Sequence, residues 1–170
     1  MCSNELISFA KSQNYEVFNS NGKDQKGLSC GYLCANIASK FFSLIALQTE
    51  EWLLSDIADC LYPDIALFNQ VLAINGNEAK ELDSTQIMKL VSNMTNDNNL
   101  NWLFPVDINL FRRMLKQDFS NISFPSFNRN RWACFCINDA KLSDEERQKN
   151  LQSGNNSGNH WFTAVVCLEF

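Results

Sequence analysis

Residues 25–36 read QKGLSCGYLCAN, a polar, glycine-containing loop that turns into an apolar run. Ser29 stands where a side-chain oxygen satisfies the unpaired N–H groups of a helix start. From there Leu33, Ile37, Phe41, Leu44 and Ile45 recur at three- and four-residue spacing, which predicts a helix from Cys30 to about Leu47. Ala35 and Ala38 fill out the same wheel, so this helix is apolar on most sides and belongs at the centre of the molecule. Cys30 therefore opens a central helix, the end at which backbone N–H groups favour a negative sulfur.

Around this element the first part of the chain reads as helical. ELISFAKS precedes the turn-rich NSNGKDQKG at 19–27, and Thr49 caps EEWLLSDIADCLY, whose first turn carries acids that suit the helix dipole. Pro63 ends or restarts that helix, and DIALFNQVLAI follows up to the stop signal Asn75-Gly76. Asp83 or Ser84 caps TQIMKLVSNM, and Asp107 caps INLFRRMLKQDF. After Phe127 the pattern changes. RWACFCIND (131–139) and HWFTAVVCLEF (160–170) are short and rich in aromatic and β-branched residues, the signature of strands. The polar stretch between them is too long for a hairpin turn; Leu142–Leu151 reads as a surface helix and SGNNSGN as a loop leading into His160. The expectation is an α+β fold, helices first and an antiparallel sheet last, in one domain spanning 1–170.

Composition sets outer bounds. With 170 residues and 45% hydrophobic content the chain suffices for one domain with a sizeable core, rich in aromatics because 13 Phe and 4 Trp are present. A net charge of -5, with no basic run longer than Arg112-Arg113, argues against nucleic acid or an anionic membrane as main partner. No apolar run approaches the roughly 20 residues of a membrane span, and the N-terminus lacks the pattern of a signal peptide. Seven scattered cysteines, an odd number, fit reduced thiols in a cytoplasmic compartment better than a disulfide framework.

Cysteines in apolar runs are most often small core residues, which is the reading for Cys34, Cys60, Cys134, Cys136 and Cys167. Cys134 and Cys136 share one strand face, and with a single histidine in the chain the ligands for a zinc site are lacking, so neither metal nor cofactor is expected. Cys30 differs. Gln25 lies five residues ahead of it, where a side-chain amide can join the Cys30 N–H in holding an oxyanion. His160, the only histidine, opens a strand and is the candidate base.

Taken together these residues resemble a papain-like cysteine peptidase, and within that clan the Josephin family of deubiquitinases. Gln25, Cys30, Cys34 and Asn36 match that family's Gln-x-x-x-x-Cys-x-x-x-Cys-x-Asn pattern, and HWFTAVV is similar to its His-Trp-Phe-Thr-Val run. The resemblance spans residues 25–166 and is specific at its two ends. It implies a papain-like fold with the helical part packed on the sheet, a Cys30 nucleophile, a His160 base and a Gln25 oxyanion donor. Gly31, Asn159 and Trp161, adjacent to these, are the candidate substrate-binding residues. In the family an Asn or Asp on the strand after the histidine orients the imidazole; here Glu169 is the one acid after His160, leaving Asn138 or Asp139 as third member, or a Cys-His dyad. The implied partner is ubiquitin or a ubiquitin-like protein, met in the cytoplasm or, for a secreted effector, in a host cytosol. Two rivals remain: glutamine deamidation or transglutamination of a host protein by the same residues, and a non-catalytic ubiquitin-binding module.

Overall fold

A computed structural model describes residues 4–18, 30–46, 82–117, 119, 122–124, 131–139 and 160–168, together with single positions 57, 61, 69, 73, 145, 149, 152 and 153. Among the described residues four helices and three strands follow one another as α1 (Asn4–Ser12), α2 (Cys30–Ala46), α3 (Ser84–Thr95), β1 (Leu103–Asp107), α4 (Ile108–Lys116), β2 (Trp132–Asn138) and β3 (Trp161–Cys167). The fold is α+β. The expected helices at 49–75, the surface helix at 142–151 and the Ser29 cap lie outside the described residues, apart from isolated positions.

The sheet is mixed rather than purely antiparallel, in the order β1-β2-β3. β2 and β3 pair antiparallel, with Asn138 opposite Trp161 and Trp132 opposite Cys167. β1, a strand absent from the pattern of the sequence, runs parallel to β2 with Leu103 opposite Cys134 and Asp107 opposite Asn138. The chain reaches β2 from β1 through α4, so parallel pairing follows from a crossover connection instead of a hairpin. Pro105 masks β1 in the sequence, and its position in the strand shows how the proline is tolerated. The Trp102 carbonyl accepts from Cys134 N–H at 2.9 Å, so by alternation the main chain of Pro105 faces the outer side of β1, where the missing N–H costs no ladder bond.

β2 is buried along all but its last residue, because helices cover both faces of the sheet. Trp132, Cys134 and Cys136 point to one face and meet Tyr32, Cys34, Ala35, Phe41 and Ile45 of α2 and Ile87, Leu90 and Val91 of α3. Ala133, Phe135 and Ile137 point to the other and meet Leu6 of α1 and Phe111 and Leu115 of α4. Phe135 lies within 5.1–6.0 Å, ring centre to ring centre, of Phe104, Phe111 and Phe119, forming the aromatic centre of that layer. Period-two alternation through an apolar strand thus builds two cores.

Helix ends follow their capping chemistry. Asp83, not Ser84, caps α3: its carboxylate accepts from Gln86 N–H at 2.8 Å while the Gln86 side chain accepts from Asp83 N–H at 2.9 Å. α3 closes on Asn96 in the left-handed region, φ 54°. Asp107 ends β1 and caps α4 through Leu110 N–H at 2.8 Å. No described helix is long and apolar enough to cross a membrane.

Candidate active site at the start of helix α2

Cys30 is the first residue of α2 and is half-buried. Its sulfur accepts from the N–H of Trp161, and the N–H groups of Gly31 and Cys30 itself also face it. The ladder explains why the Trp161 N–H is available. Asp139 N–H donates to the His160 carbonyl at 2.8 Å and Leu168 N–H to the Arg131 carbonyl at 3.1 Å, so even-numbered residues of β3 pair with β2. Trp161, odd-numbered, points its N–H away from β2 and toward α2. The early thiol therefore meets the peptide group that joins His160 to Trp161.

His160 stands immediately before β3, half-buried, with its imidazole 6.3 Å from the Phe162 ring, centre to centre. Asn138 ends β2 directly opposite Trp161, and Asp139 is bonded to the His160 main chain. Cys30, Asn138, His160 and Trp161 thus converge on one end of the sheet. Gly31 and Trp161, the residues expected to line the substrate path, are buried, and both meet Leu82. The Trp161 indole N–H donates to the Leu82 carbonyl at 2.9 Å. A Cβ on Gly31 would stand 3.0 Å from Leu82 Cδ1, so glycine here answers a close approach. Gln25 and Asn159 lie outside the described residues.

Burial pushes the Cys30 thiol above its ordinary value, and the nearby Cys34 adds to this; what opposes the rise is backbone N–H donation, first from Trp161. The groups favouring thiolate are thus neutral dipoles rather than a positive charge. In this state the sulfur carries its proton near neutrality, and attack on a carbonyl requires a base to remove it.

Sequence reasoning placed Cys34, Cys134 and Cys136 in the core, and all three are free thiols with at most 1% exposure. It did not foresee that they touch. The Cys34 thiol bonds with Cys136, and Cys136 in turn with Cys134, while the Thr163 hydroxyl lies beside Cys34. Burial, then the bond to Cys136, lifts Cys34 well above the ordinary thiol value; Cys136 is lifted by its bond to Cys134 and by burial. Alternation along β2 gave the shared face of Cys134 and Cys136, but the register of α2 above them was not in the pattern. Among the described residues no group of three or more His, Cys, Asp or Glu is arranged to hold a metal ion.

Comparison with known proteins leaves the site to be read from its own chemistry. The chain matches no family model, no curated protein and no solved structure at a significant level.

Proposed function

We propose that this protein is a papain-like thiol hydrolase of Josephin type that cleaves isopeptide or peptide bonds of ubiquitin or a ubiquitin-like protein. The observation that carries the reading is the convergence of the Cys30 sulfur, at a helix N-terminus, on the His160–Trp161 peptide. In this mechanism His160 takes the thiol proton as the sulfur bonds to the substrate carbonyl carbon, and the resulting oxyanion is held by the Cys30 N–H and Gln25. Collapse expels the amine, which leaves with the proton from His160, and a thioester remains on Cys30. Water, deprotonated by His160, then attacks the thioester; acid is released and the thiol regains its proton. Asn138, opposite Trp161, is the candidate to orient the imidazole. With the resting thiol protonated, this reading casts His160 as a general base rather than as the partner of a preformed thiolate.

The same desolvation favours a second reading, a ubiquitin-binding module without turnover. An electrophilic ubiquitin probe separates the two: wild type forms a covalent adduct lost in Cys30→Ala under the enzyme reading. Equal labelling of the two proteins refutes the nucleophile, while undiminished non-covalent ubiquitin binding with no adduct selects the module. Reaction in the cytoplasm, or in a host cytosol after secretion, belongs to the same proposal.

A further inference from the structure

Trp161 directs its side chain inward. Only 3% of it is exposed, and its indole N–H reaches the carbonyl of Leu82, itself 3% exposed. Leu82 also fills the space above Gly31: the position a Gly31 Cβ would take lies 3.0, 3.1 and 3.2 Å from Leu82 Cδ1, Cβ and Cγ. One residue thus holds both halves of the site, the first turn of α2 through Gly31 and the first residue of β3 through Trp161. Leu82 is itself anchored, since the capping box of α3 begins at the next residue. Strand and helix ends otherwise fray, because their terminal groups lack ladder partners.

We infer that Trp161 and Gly31 are positioning residues, which act through Leu82 to keep the His160–Trp161 peptide against the Cys30 sulfur. The inference rests on the hydrolase reading above for its functional meaning, but its geometry is independent of ubiquitin. A Trp161 N–H donated to sulfur stabilises the thiolate over the thiol, so turning that peptide away while Cys30 keeps its burial shows there as a more weakly acidic group.

Trp161→Phe keeps a buried aromatic ring and removes the indole donor. The readout is the pH dependence of iodoacetamide alkylation of the folded full chain, localised to Cys30 by fragmentation of the modified peptide. With burial preserved by the phenyl ring, loss of one hydrogen bond's worth of orientation is expected to raise the midpoint by about half a pH unit and to slow alkylation at pH 8 about threefold. Gly31→Ala, which drives a methyl group into Leu82, is expected to move the profile the same way, and Leu82→Ala in the same chain, by removing Cγ and Cδ1 while its Cβ stays 3.1 Å away, to restore it in part. A Trp161→Phe protein with wild-type circular dichroism and an unchanged Cys30 profile overturns the inference; should that variant fail to fold, an unshifted Gly31→Ala profile does the same. Because alkylation needs no ubiquitin, a chain that ignores the ubiquitin probe yet shows the threefold loss refutes the hydrolase reading and leaves the clamp standing.

Discussion

Raising the pH from 8 to 10 under reducing conditions should destabilise the fold through two thiols that the core keeps protonated. Cys34 and Cys136 are both held well above the ordinary value of 9.0. A raised native value means that this contribution is fully present below the unfolded value and is lost as pH climbs toward the native one. At pH 10, one unit above the ordinary value, the unfolded thiols are mostly ionised while the folded ones are not. Each then costs about 1.4 kcal/mol, or about 3 kcal/mol for the pair if they titrate independently. The cost is a large share of the 5–15 kcal/mol by which domains are typically stable, so about 3 kcal/mol is readable. Urea unfolding followed by tryptophan fluorescence at pH 8, 9 and 10 measures it, and Cys136→Ala isolates it: the variant starts less stable but should lose less between pH 8 and 10 than wild type. Parallel pH profiles for wild type and Cys136→Ala would refute the claim that the thiols stay protonated in the core.

Three other outcomes follow from the same structure. Phe135→Ala empties the meeting point of Phe104, Phe111 and Phe119 and should cost about 3–5 kcal/mol in urea unfolding; a cost below about 1 kcal/mol would mean that the layer is not packed as described. Asp83→Ala breaks both bonds of the α3 capping box and should cost about 1 kcal/mol, with no loss at all contradicting the cap. Alkylation of Cys30 should rise steeply above pH 9 in place of levelling off near neutrality, since burial outweighs N–H donation at its sulfur; a plateau by pH 7 would instead reveal a standing thiolate.

Legibility in the sequence tracked local pattern. The two later strands were readable as antiparallel neighbours because WACFCI and WFTAVV concentrate aromatic and β-branched residues; their register, with Asn138 opposite Trp161, comes from the structure. α2 was readable from its period and Asp107 from the preference for short acceptors ahead of a helix, while the α3 cap was narrowed only to Asp83 or Ser84. β1 was not, because LFPVD is short and its proline reads as a breaker unless the strand is known to lie at an edge. At the site, the sequence named Cys30, His160 and Asn138, which the fold brings to one end of the sheet. The role of Leu82 was invisible, since its decisive atom is a main-chain carbonyl 79 residues from Trp161. No side-chain pattern encodes such a contact. The thiol chain of Cys34, Cys136 and Cys134 was hidden for a related reason: it depends on how α2 is rotated over β2.

The central claim, that the start of α2 and the start of β3 form one site, is open to a direct reading because His160 is the only histidine in the chain. Its imidazole resonances can be followed by NMR titration in wild type and in Cys30→Ser without assignment ambiguity. The account expects the chemical shifts and the titration midpoint of His160 to change when the sulfur is replaced; superimposable titration curves in the two folded proteins would contradict it.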